Sequence, residues 1–250
     1  MAKNKQVTDN KWYMLESHRT NTIMASVLSF WAGNVNGLTT ISVFFERSSH
    51  VSGRIADIGI NLVFMPIDAL FVTVIWLSFV MGSYFAGVLL DRIGLTRSLV
   101  LQSICILLAA IAAGMGIPAD VPEGDWPGRI LMAFILPFSM GFQNSLTSQL
   151  PLDRTTHWTG LSTDLGIALA KGSYSKAVSI CVRIFAFIIG AAVMSYLIGV
   201  INMPPFYGLL SISAGLMLTA FAGDRFNKKF ISSRLITTSE NETGKTADIS

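Results

Sequence analysis

The sequence predicts an all-α integral membrane protein with about six transmembrane helices in two inverted three-helix repeats. Each repeat carries an extra short re-entrant or interfacial helix. Three observations lead there. Hydrophobic residues fill 52% of the 250 positions and charged residues only 13%, well below the roughly 25% charge typical of a soluble domain. The apolar residues come in runs of spanning length. A polar pattern, "HVSGRIADIG" from His50 to Gly59, returns as "HWTGLSTDLG" from His157 to Gly166, matching at His, Gly, Asp and Gly with an offset of 107 residues.

A run of roughly 20 apolar residues crosses the hydrocarbon core as a helix, because every backbone polar group must be satisfied internally. Six such runs occur, at about 23–45, 67–90, 97–117, 129–149, 175–200 and 205–222. Two intermediate segments, 51–65 and 158–171, are shorter and more polar, and each holds one copy of the repeated pattern. The organisation is then an N-terminal cytoplasmic segment (1–22), a first repeat (23–117), an acidic external loop (118–128), a second repeat (129–222) and a polar tail (223–250) read as cytoplasmic and disordered. No cleavable signal follows from the polar first 22 residues, so the first apolar run is read as a retained helix. Cys105 and Cys181 sit inside apolar runs in no metal-binding spacing and read as small buried hydrophobes.

Orientation follows from the basic residues. With the N-terminus inside, 14 of the 18 Lys and Arg fall on the internal face, as the positive-inside bias requires. Eight crossings would move Arg92 and Arg97 outside and the acidic "PADVPEGDWPG" loop inside. The charge pattern therefore favours six.

The repeat extends beyond the decapeptides. Dropping one residue aligns Gly33 with Gly141, Asn36 with Asn144 and Arg47 with Arg154, and further on Gly82 with Gly190. Three spans per unit is an odd number, so the second unit is inverted relative to the first. Transporters built this way place solute sites at the repeat interface, among broken helices. If 51–65 and 158–171 re-enter the membrane, Gly53 and Gly160 permit a turn or a close approach, and Asp57 and Asp164 become ionisable groups near a polar pathway. If they lie at the interface, the same aspartates face headgroups. Both readings stay open here. Arg183, the one basic residue deep within a span, either snorkels to the internal surface or pairs with an aspartate of a short segment. Small residues at Ser83, Gly87, Ala191, Ser195 and Gly199 recur every four positions and let helices pack closely.

"GVLLDRIGLTR", from Gly87 to Arg97, follows the second span and resembles the internal loop signature of the major facilitator transporters through Gly87, Asp91, Arg92 and Gly94. Leu95 and Thr96 stand where that signature has basic residues. Over residues 20–222 the motifs "AGNVNGL…SHVSGRIADIG" and "MGFQNSL…THWTGLSTDLG" resemble the YoaK-like family of bacterial inner-membrane proteins, a domain of unknown function. Asn36-Gly37 replaces that family's Asp-Ala and Ser52-Gly53-Arg54 its Thr-Gly-Asn, whereas Gly141, Gln143, Asn144, Thr159 and Gly160 fit. The resemblance implies a bacterial multi-pass inner-membrane protein and supplies no reaction.

No nucleophile–base pairing, phosphate loop, dinucleotide fingerprint or zinc motif occurs. An enzyme is not expected, nor a cofactor, a metal site or a nucleic-acid partner. The leading expectation is a transporter or channel-like protein for a small solute or ion. Its candidate pathway is Asn36, His50, Gly53, Asp57, Asn144, His157, Gly160, Asp164 and Arg183, with Asp91 and Arg92 in the internal loop. The alternative is a non-transporting membrane scaffold or assembly protein. Besides the lipid bilayer, a homodimer is the partner that six spans, half a major facilitator, suggest.

Overall fold

A computed structural model describes residues 18–43, 48–116, 126–150, 152, 155–156 and 158–224. His157, the first 17 residues, most of the 118–128 loop and the tail beyond 224 lie outside the described residues. The described chain is all helical: α1 (His18–Leu38, continued by a π turn, Thr39–Val43), α2 (Val51–Phe64), α3 (Pro66–Gly114), α4 (Trp126–Ser148), α5 (Trp158–Ala170), α6 (Tyr174–Gly199) and α7 (Pro205–Asp224). Four of these, α3, α4, α6 and α7, contain stretches long and apolar enough to cross a membrane. Large apolar side chains such as Val63, Phe64, Ile67 and Leu70 remain exposed, as they do where lipid is the solvent.

Helix α3 has 49 residues, or about 74 Å if straight, more than twice a hydrocarbon core. It is not straight. Gly94 breaks it with φ 87° and ψ 163°, a backbone state that suits glycine alone. The two arms fold back on each other, as their contacts with α4 show. Ser83 Oγ donates to the Gly141 carbonyl at 3.0 Å, and Gln102 Nε2 donates to Gln143 Oε1 at 2.7 Å. A continuous helix would hold residues 83 and 102 about 28 Å apart, yet both touch one turn of α4. Asp91 and Arg92 are exposed beside the turn, which is a single residue rather than a loop.

Contacts also fix the directions of the helices. Along α1 and α6 the numbers rise together: Thr22 bonds Ser179, Gly33 meets Phe187 and Ala191, and Gly37 meets Ala191 and Ser195. These helices are parallel. So are α4 and the first arm of α3, where Gly82 meets Phe138 and Gly87 lies near Ser145 and Gln149. Helix α7 runs against α1, with Gly223 at Met24, Gly215 at Trp31 and Gly208 at Leu38. It also runs against the second arm of α3, with Ser213 at Ser103 and Phe206 at Gly114. Hence α1 and the second arm of α3 point the same way.

The two closest crossings share one chemistry. In α1, α3, α4 and α6 the sequence reads Phe-x-x-Gly: Phe30 to Gly33, Phe79 to Gly82, Phe138 to Gly141 and Phe187 to Gly190. A Cβ on Gly33 would collide with the Phe187 carbonyl, and one on Gly190 with the Phe30 carbonyl. Gly82 and Gly141 stand in the same relation to the carbonyls of Phe138 and Phe79. A shift of 108 residues carries one crossing onto the other. Between the second arm of α3 and α7, Ser103 Oγ donates to the Ser213 carbonyl at 2.8 Å and Ser213 Oγ to the Ser103 carbonyl at 2.9 Å. Two residues that exchange identical bonds satisfy a local two-fold relation.

Candidate functional site: a hydroxyl-lined cavity

The two short helices are half-length elements. The ring of Trp158, first residue of α5, lies 4.4 Å from that of Phe187 at the midpoint of α6. Thirteen residues of α5 cover about 20 Å, the distance from Phe187 back to the start of α6, which α5 joins through a three-residue turn. Helix α2 begins beside the last turn of α1, before its π turn, because the segment before it is tied to Asn36. Asn36 Nδ2 donates to the Ala32 carbonyl and Ser49 Oγ, both at 2.9 Å, and its Oδ1 accepts from the Ser49 N–H at 3.3 Å. From there α2 runs to the start of α3. Because α1 and α6 are parallel and the first arm of α3 opposes them, α2 and α5 depart toward opposite ends.

Where they begin there is a cavity of about 560 Å³. One side is polar, with Asn36, Thr40, Ser49 and His50 from the first half and Thr156, Thr159 and Ser162 from the second. The other is α6, which contributes Ile184, Phe187, Ile188, Ala191 and Ser195. The π turn that ends α1 contributes Ile41; such turns widen a helix locally and recur at functional positions. Trp158 closes the floor against Phe187.

The pathway residues expected from sequence divide around this cavity. Asn36 and His50 line it. Gly53 packs under the His50 imidazole, which its Cβ would overlap. Gly160 lies in the first turn of α5, between the lining residues Thr159 and Ser162. Asp57 pairs with Arg54 of its own helix at 3.1 Å, and Asp164 is exposed on α5; neither lines the cavity. Asn144 sits on α4 away from it, its Oδ1 buried without a hydrogen-bond partner among the described residues. His157 lies outside the described residues. Among those described, no three His, Cys, Asp or Glu side chains gather as metal ligands.

Arg183 is 2% exposed, so the guanidinium does not snorkel out. It donates from NH1 to the Leu152 carbonyl at 3.2 Å and from Nε to the Ser179 carbonyl at 3.3 Å. Those bonds staple the segment that precedes α5 to α6. From the other side the segment is held by Gln143, which is 0% exposed and donates from Nε2 to Thr155 Oγ1 at 3.0 Å and to the Leu28 carbonyl at 2.9 Å.

Asn36 plays the same anchoring role for residues 48–50. Asn36→Leu is expected to leave the Ser49 N–H and hydroxyl without their partner and to cost about 1–3 kcal/mol. A lowered melting temperature, together with faster thiol labelling of a cysteine placed at position 49, checks this.

No curated protein and no solved structure matches this chain. A family model matches residues 24–227. The chain belongs to the DUF1275 family, whose description is "protein of unknown function".

Proposed function

We propose that this is a transporter or channel-like protein for a small solute, seated in a bacterial inner membrane with both termini cytoplasmic. The cavity is its solute site. The observation that carries this reading is the meeting of two half-length helices at one cavity, from which they leave toward opposite ends. Within a bilayer, non-helical backbone at that depth is tolerated only where it is buried in protein or lines a wet cavity. The segments before α2 and α5 meet that condition through Asn36, Gln143 and Arg183.

The helix directions support six crossings in two inverted halves. With α1 and the second arm of α3 pointing the same way, a single crossing, the first arm, lies between them and α2 re-enters. Helix α4 parallels that first arm and therefore opposes α1, its counterpart in the repeat. The reciprocal glycine crossings and the Ser103–Ser213 exchange are what a two-fold axis in the membrane plane would generate.

Accessibility tests the reading. With Cys105 and Cys181 replaced, single cysteines across 51–65 and 158–171 are treated with membrane-impermeant thiol reagents from each side. Deep positions near 51–54 and near 158–162 border one cavity and should both label through water, from the side to which that cavity opens. Shallow labelling along one stripe of each helix, with no deep water access, would sink the transport reading in favour of a scaffold.

A further inference from the structure

The two halves share one framework but not one set of hydrogen bonds. Under the shift of 108 residues, Asn144 takes the place of Asn36, and Ser145 near Gly87 takes the place of Gly37 near Ser195. Beyond the one-residue gap, Thr155 and Thr156 take the places of Ser48 and Ser49. In the first half the asparagine grips the segment. Asn36 Nδ2 donates to Ser49 Oγ at 2.9 Å, and its Oδ1 accepts from the Ser49 N–H at 3.3 Å. In the second half the equivalent groups do not meet. Asn144 Oδ1 and Thr156 Oγ1 are both buried with no hydrogen-bond partner among the described residues.

An acceptor and a donor left over at equivalent positions are complementary, and they are also close. Gln143 Nε2 reaches Thr155 Oγ1 at 3.0 Å. Asn144 and Thr156 are the next residues on either side, each one Cα step of about 3.8 Å away. The segment before α5 is thus held one residue out of register, by Gln143 rather than Asn144. Neither Gln143 nor Arg183, its other holder, has a polar counterpart, because Val35 and Ile75 stand at their places in the first half. The present grip lies outside the repeated pattern, whereas the unmet pair lies within it. Buried polar groups without partners are rare and costly, and a state in which these two meet removes that cost.

We propose that Asn36–Ser49 and Asn144–Thr156 are the two positions of one latch, the first closed in this structure and the second open. Exchange of the halves closes the second and opens the first. The Asn144 amide then takes Thr156 as Asn36 now takes Ser49, and residues 48–49 are released. The inference rests on reading the halves as an inverted pair that trades conformations. Because Asn36 and Ser49 line the cavity, opening their latch remakes one wall of the solute site.

The test follows the first latch while the second is altered. In the full chain with Cys105 and Cys181 replaced, Ser48→Cys is the reporter. Ser48 is 1% exposed, and its replacement gives up only a 3.5 Å contact with Asn36 Oδ1 while sparing the Ser49 bonds. Its reaction with N-ethylmaleimide in detergent reads how often the first latch opens. Thr156→Val and Asn144→Leu remove groups that bond only when the second latch closes. Each should slow labelling about two- to tenfold, the worth of one net hydrogen bond. Destabilisation acts in the opposite direction: Leu216→Ala, a truncation at a fully buried position, should lower the melting temperature without slowing the reporter. The second measurement is direct. Asn144→Cys with Thr156→Cys should form a disulfide under mild oxidation, and Asn36→Leu, which opens the first latch, should speed its formation. Unchanged or faster labelling in both second-half variants overturns the exchange. So does a reporter that never reacts in the folded protein, or a 144–156 pair that does not cross-link. Water access along 51–65 and 158–171 is read with other cysteines, so the transport proposal stands or falls separately from these outcomes.

Discussion

Gly141→Leu is expected to cost the protein most of its folded population in detergent, a loss of about 3 kcal/mol or more, at the upper end of overpacking penalties. The new Cβ would overlap the Phe79 carbonyl oxygen and crowd its Cα. A side-chain neighbour might rotate away, but a backbone carbonyl inside a helix cannot, so α3 and α4 must separate along their whole crossing. Gly82, Gly33 and Gly190 face carbonyls in the same way and should behave alike. The matched control is Gly59→Ala or Gly166→Ala. Nothing lies within 4 Å of a Cβ at either position, and both are helical, so alanine should be neutral or stabilising by up to about 1 kcal/mol. Melting temperatures of the six variants, followed by fluorescence-detected gel filtration, separate the two classes. Equal behaviour of Gly141 and Gly166 variants would refute the crossing geometry.

Gln143→Leu is the second large effect. One side chain joins four parts of the molecule: α4 itself, the Leu28 carbonyl of α1, Gln102 on the second arm of α3, and Thr155 before α5. Leucine fills the space but abandons the Gln102 amide inside an apolar core; the Leu28 carbonyl keeps its bond within α1. The expected loss is about 1–3 kcal/mol, the cost of one stranded buried amide. Adding Gln102→Leu should recover part of it, since removing both partners of a buried bond is far cheaper than removing one. A double mutant as unstable as the sum of the singles would show that the two amides act independently.

The long apolar helices were legible because length and apolar composition are properties of a single segment. Helix bounds fall within a few residues of the runs in the sequence, α1 aside, with the second and third runs forming the two arms of α3. Even the break between the second and third spans was marked, by Gly94 among charged neighbours. What covers each face was not legible. The wall of Ile184, Phe187 and Ile188 belongs to the cavity only because α1 packs on α6, a pairing across more than 150 residues that no local pattern encodes. The four Phe-x-x-Gly sites were present in the sequence, but 21 glycines offer many such spacings, and only the facing carbonyls single these out.

Asp57 and Asp164 are not among the described residues that line the cavity. Asp57 and Asp164 stood out in an apolar chain, yet Arg54 three residues before Asp57 is a spacing that places both on one helix face.

The Ser103–Ser213 exchange has a mechanical consequence. If the two halves trade conformations during a cycle, points far from their common axis sweep through the largest arcs, and points on it hardly move. A pair of residues bonded reciprocally to each other marks such a stationary point. Tethering the chain there would act like pinning a seesaw at its fulcrum: it would hold the halves together while leaving them free to tilt. The same tether between α1 and α7 near Trp31 and Thr219, off that axis, would stop the tilt altogether.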